Sequence, residues 1–78
     1  MFLVKELLEI LAKSLVDSPD AVKVNEITGE QSIILELKVA PEDMGKVIGK
    51  QGRIAKAIRI VVKAAAIKEN KRVVVEII

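Results

Sequence analysis

Apolar residues recur near the start of the chain at Val4, Leu7, Leu8, Leu11 and Leu15, the spacing of one helix face, while Lys5, Glu6, Glu9 and Lys13 fall elsewhere on the wheel. The spacing predicts an amphipathic helix over residues 2–17. Asp17-Ser18-Pro19-Asp20 then stops it, because proline cannot continue the hydrogen-bond ladder and disfavours helix in the residue before it. From Ala21 to Thr28 the chain is rich in β-branched residues, Thr28-Gly29-Glu30-Gln31 has turn chemistry, and Ser32 to Val39 alternates, with Ile33, Leu35, Leu37 and Val39 on one face. These segments predict a β-hairpin whose apolar side packs on helices. The other side carries Ser32, Glu36 and Lys38, with Ile34 as an exception that fits a sheet edge or a position under a partner.

Pro41 at a first helical position, with Glu42 and Asp43 beside the positive end of the dipole, predicts a short helix to about Ile48, ended by Gly49 in a left-handed conformation. A second helix is expected from Gly52 or Arg53 to about Lys68, burying Ile54, Ile58, Val61, Val62 and Ala65, with Asn70 as its stop. Lys71 to Ile78 reads as a final strand, and a strand reached through a helical crossover pairs parallel to the second one. The expected fold is α+β in the order α-β-β-α-α-β, a three-stranded mixed sheet with three helices on one face. With no repeat, low-complexity segment or linker, a single domain is expected over residues 1–78.

A chain of 78 residues folds alone only with a high apolar fraction or a staple, and here 51% of residues are hydrophobic. There is no Cys, His, Trp or Tyr. Disulfides, thiolate chemistry, the commonest general base, the commonest metal ligand and the best base-stacking side chains are therefore missing, so neither an enzyme, a metal site nor a cofactor is expected. The charged residues of the first helix break any signal-peptide core or membrane span, which makes a cytoplasmic protein the expectation. Net charge is only +2, but residues 1–43 hold nine acidic and four basic side chains, whereas residues 44–72 hold nine basic ones against Glu69 alone. A polyanionic partner would meet the second segment.

Three of the four glycines lie within Met44-Gly45-Lys46-Val47-Ile48-Gly49-Lys50-Gln51-Gly52-Arg53, at the centre of that basic segment. A nucleoside-triphosphate P-loop needs four residues between its glycines and a Ser or Thr after the lysine; three separate Gly45 from Gly49, and Gln51 follows Lys50. On spacing alone, Gly49 and Gly52 could simply relieve a tight helix-to-helix turn. Their context adds a second reading: N–H groups at the start of a helix, with Lys50 and Arg53 beside them, suit a backbone phosphate. Glu42 and Asp43 have no nucleophile or ligand set beside them, and dipole complementarity accounts for both.

This GxxG between two helices, in an α-β-β-α-α-β order, resembles a KH domain of the second, bacterial-type topology. More narrowly, Leu15 to Asp20, the block from Ala40 to Arg59 and the Val-rich last strand are similar to the KhpA family of small stand-alone RNA-binding proteins, over nearly the full chain. The resemblance implies non-catalytic binding of single-stranded RNA by a loop that clamps about four nucleotides. It also implies a role in RNA chaperoning or post-transcriptional regulation, a homodimer, and often a heterodimer with a larger KhpB or Jag-type KH protein. Carried onto this chain, Gly49, Lys50, Gln51 and Gly52 form the RNA-holding loop, with Lys46 beside it. Arg53 and Lys56 are expected to reach phosphates because they lie just after the loop, whereas Arg59 and Lys63, on the same side of the helix, read equally as a solvated face. Val47, Ile48 and Ile54 flank the loop as an aliphatic groove for bases, although each is also a natural core residue. An RNA-recognition motif or OB-fold, which needs exposed aromatics, is disfavoured.

Ile60, Ala64 and Ile67 repeat at i, i+4 and i+7 on the outer side of the same helix, away from Ile54, Ile58 and Val62. A second apolar stripe in so small a domain points to an interface, with a second copy or a related KH protein. The competing reading is therefore an interaction module that works through this stripe, with RNA contact incidental.

Overall fold

The computed structural model describes residues 3–78; Met1 and Phe2, where the expected first helix begins, lie outside the described residues. Helix α1 covers Val4–Leu15, strand β1 Lys23–Thr28, β2 Ser32–Lys38, helix α2 Met44–Ile48, α3 Arg53–Lys68 and β3 Arg72–Ile77. The order is α-β-β-α-α-β, as the pattern predicts. Short 3-10 turns occupy Pro19–Ala21, Pro41–Asp43 and Lys50–Gly52. The expected helix from Pro41 thus begins as a 3-10 turn that runs directly into α2, with Asp43 (φ −98°, ψ −3°) at the junction, where its side chain accepts the Ser18 N–H.

The sheet has the order β1-β2-β3. β1 runs antiparallel to β2, with Lys23 opposite Lys38 and Thr28 opposite Ile33, and β2 runs parallel to β3, with Ile33 opposite Val73 and Leu37 opposite Ile77. Alternation along β2 turns Ile33, Leu35 and Leu37 towards the helices, where they are buried with Val39. Leu8 of α1, Val62 of α3 and Val47 of α2 close the core from the other side, and all three are fully enclosed. Ile34 is not at a sheet edge: on the helix-free face of the central strand it lies in register with Ile27 and Val74, a three-strand aliphatic row in which it is half-buried.

The buried stripe of α3 is rotated from the expected one. Ala55, Ile58, Val62 and Ala66 face the core, Ile54 and Ala65 are half-buried, and Val61 is 45% exposed. A reading that favours large aliphatics misses that alanines let a helix lie close against a sheet. Val61 instead lines a shallow apolar furrow with Leu11 and Leu15 of α1. α3 ends in a Schellman motif: the N–H of Lys71 donates to the Ala66 carbonyl and that of Asn70 to the Ile67 carbonyl, both at 3.0 Å, with Asn70 at φ 58°. Asn70 is the stop that the sequence predicts, and asparagine is the non-glycine residue that best tolerates this conformation.

Candidate nucleic-acid interface

The turn between α2 and α3 is built on positive φ. Gly49 ends α2 at φ 76°, ψ 174°, which is not the expected left-handed helical cap but an extended region open essentially to glycine alone. Gln51 (φ 59°) and Gly52 (φ 75°) follow in left-handed conformations. The N–H of Gly49 donates to the Gly45 carbonyl at 2.8 Å, and that of Gly52 to the Gly49 carbonyl at 3.1 Å. Among the described residues no hydrogen bond between elements occupies the N–H of Lys50 or Gln51. Lys50 and Gln51 are exposed at the tip of the turn.

Arg53 and Lys56 are exposed on the first turns of α3, and an Arg53 guanidinium nitrogen lies 3.3 Å from the Gln51 amide oxygen, tying that side chain to the loop. At about 100° per residue, Lys56, Arg59 and Lys63 form a stripe between the outer face of α3 and β3. Arg59 marks the boundary: its Nε donates to the Val75 carbonyl at 3.2 Å, covering part of the free edge of β3. Among the described residues none of Lys50, Arg53, Lys56 or Lys63 is in an ion pair.

Two of the expected site residues are placed elsewhere by their surroundings. Lys46 does not join the free cations; its ammonium is held between Asp17 at the end of α1 and Asp43, 3.3 Å from the latter's Oδ1. Val47 has no exposed surface, so its side chain belongs to the core and not to a groove. Ile48, 37% exposed, and Ile54, half-buried beneath Gly49, are the aliphatic surface beside the loop.

Asp43 is the residue whose role the sequence did not reveal. Only 1% exposed, it accepts the Ser18 N–H at 3.0 Å and so fastens the turn after α1 to the start of α2. Burial pushes its pKa up, but hydrogen bonds from the Ser18 and Asp17 backbone and from Lys46 outweigh this and hold it below its ordinary 3.8. The Lys46 pKa is raised, chiefly by its hydrogen bonds to Asp17 and then Asp43. Because Asp43 has a lower pKa folded than unfolded, its contribution to stability is complete above its ordinary value and is lost as pH falls through and below it. Melting temperatures measured from pH 7 down to pH 2.5 should therefore fall more steeply below about pH 4 in the wild type than in Asp43→Asn. Parallel curves would show that the carboxylate has no such role. Carboxylates after a proline, here Glu42 and Asp43, look like dipole complementarity, and nothing local in sequence singles out Asp43.

A family model for the KH domain of KhpA and KhpB matches residues 5–77. The chain belongs to the KhpA/KhpB KH-domain family. Among curated KhpA relatives, one from Clostridium acetobutylicum, named as an RNA-binding protein, is 85% identical over 95% of this chain and 99% of its own length. Another so named, from Aquifex aeolicus, is 51% identical over 100% of this chain and 99% of its own. Among solved structures, Aquifex aeolicus Era bound to GDP and aluminium fluoride superposes with a TM-score of 0.70 at 19% identity, over 95% of this chain but 29% of that larger one. Era in complex with a GTP analogue and nucleotides 1506–1542 of 16S ribosomal RNA gives 0.61 at 21% identity over 95% of this chain and 28% of its own. These likenesses show that the fold recurs as part of the larger Era chains.

Proposed function

We propose that this KhpA-family chain is a single KH unit over residues 1–78 that binds single-stranded RNA without catalysis. The observation that carries the reading is the Gly49–Gly52 turn: a backbone shape reserved for glycine, tipped by Lys50 and Gln51, with Arg53 and Lys56 directly behind it. Such a turn holds the sugar-phosphate backbone and leaves the bases to lie against Ile48, Ile54 and the β3 side of α3. The names of its relatives agree with this. Among the described residues no aromatic side chain lies beside the loop, so base selectivity is modest, and the natural roles are RNA chaperoning or post-transcriptional regulation in the cytoplasm. Among the described residues no helix is long and apolar enough to cross a membrane. Charge reversal at the loop, Lys50→Asp with Gln51→Asp, tests the reading: RNA binding that survives both substitutions overturns it.

A second observation supports a partner. On the outer side of α3, Ile60 is 60% and Ile67 71% exposed, with exposed Ala57, Val61 and Ala64 completing an apolar ridge. In our reading the ridge packs on the same ridge of a second copy, a self-complementary arrangement with the small alanines allowing close helix approach. A KhpB or Jag-type KH protein is the alternative occupant. Pairing sets two loops on one RNA and raises the effective concentration at the second, which compensates for the weak grip of a lone KH domain.

A further inference from the structure

Between the second half of α3 and the free edge of β3 lies an open cleft of about 800 Å³, at the opposite end of α3 from the glycine loop. Its walls carry Lys63 from α3, Asn70 and Lys71 from the turn, Arg72 from the start of β3, and Gln31 from the hairpin. No carboxylate lines it: Glu30 and Glu69, the nearest in sequence, do not contribute to its surface. Among the described residues Lys63, Lys71 and Arg72 are in no ion pair. The turn that presents two of them is fixed by the Schellman bonds, and the Arg72 N–H donates to the Gln31 carbonyl at 2.9 Å, so the cations are mounted on a held backbone. Parallel pairing alternates the direction of backbone groups along β3. Since Arg72 and Ile78 direct their N–H groups to β2, the N–H of Val73 is directed away from β2, although Val73 itself is only 2% exposed.

A cleft whose rim carries three unneutralised cations and neutral amides, above an apolar floor that includes Ile67 and Val74, suits a phosphate held at the rim. We infer that the α3–β3 turn is a second RNA-backbone site, with Lys63, Lys71 and Arg72 taking phosphates of the strand whose other part is held at the glycine loop. The 16 residues of α3 separate the two ends by about 24 Å. Lys56 lies between them on the same side of the helix. The footprint then runs the length of α3 and exceeds the four nucleotides a glycine loop clamps. This rests on the RNA reading above, and the test separates the two.

The test is anisotropy titration of labelled single-stranded RNAs of four, six, eight and ten nucleotides against the full chain. Three proteins are compared: wild type, Lys71→Ala with Arg72→Ala, and a control that removes the same charge at the far end of the sheet, Lys23→Ala with Lys38→Ala. Thermal melting confirms that each is folded. In the wild type, affinity should rise as the RNA grows beyond four nucleotides. The turn variant should lose that gain, about tenfold or more at ten nucleotides, while binding the four-nucleotide RNA within about twofold of wild type. Its salt slope on the long RNA should fall by about 1.4, the loss of two single-strand phosphate contacts. The control should resemble wild type. Equal losses on short and long RNA, no loss on either, or a control as weak as the turn variant would overturn the second site while leaving the loop reading standing. A wild type that binds none of the RNAs overturns both.

Discussion

Gly49→Ala should destabilise the domain by about 3 kcal/mol, and Gly52→Ala by only about 1 kcal/mol. Both glycines have φ near +75°, so both substitutions carry backbone strain. They differ in what the new methyl would meet. At Gly49 a Cβ would lie 2.6 Å from Ile54 Cγ1 and 2.8 Å from its Cβ, whereas nothing lies within 4 Å at Gly52. Ile54 cannot simply turn aside, because the clash includes its own branched Cβ and the side chain packs against the core. A chain of this size has total stability of roughly 4–12 kcal/mol, so the first variant should be visibly impaired, with a melting temperature lower by more than about 10 °C. Denaturant unfolding of the two variants side by side checks it, and equal losses would show that contact with Ile54 does not set the need for glycine.

Ile60→Asp should leave the fold intact and abolish self-association. The side chain is 60% exposed in the single chain, and surface substitutions away from special features shift stability by about 0.5 kcal/mol or less. In a ridge-to-ridge dimer the same carboxylate would be desolvated twice, once from each copy, with only the flanking Lys56 and Lys63, four residues before it and three after it, within reach. Ala57, Val61, Ala64 and Ile67, its neighbours on the ridge, offer no hydrogen bond from their side chains. An unpaired buried polar group costs about 1–3 kcal/mol and a charge more, so dissociation should strengthen by at least a hundredfold. Sedimentation velocity should show a wild-type dimer and a folded variant monomer. A variant dimer of unchanged affinity would move the interface elsewhere, and the apolar furrow between α1 and α3 would be the next surface to test.

Much of this architecture was legible because the core positions alternate cleanly along β2 and recur with helical spacing along α1. The parallel pairing of β3 followed from topology alone. Three features were not legible. The facing stripe of α3 rests on Ala55 and Ala66, and alanine carries no signal in a pattern weighted by apolar size. Lys46 and Asp43 are committed to each other and to the turn after α1, a contact bridging distant parts of the chain that no local window contains. Val47 and Ile48 are adjacent apolar residues on a five-residue helix, and only the packing shows that one is enclosed and the other open. The loop itself was visible as GxxG, but the need for glycine at its first position is a matter of ψ and of Ile54 and is not contained in the motif.

The central claim is that the Gly49–Gly52 turn is where RNA is held. Its most direct test is a fluorescence-anisotropy titration of short single-stranded RNA against wild type and the Lys50→Asp, Gln51→Asp variant, at two salt concentrations, with folding verified by circular dichroism. Both side chains are exposed at the loop tip, so the variant should fold like wild type. The account predicts that wild type binds, more weakly at higher salt, and that the folded variant does not bind measurably. Equal binding by both proteins, or none by either while both are folded, would contradict it and leave the apolar ridge around Ile60 as the functional surface of the isolated chain.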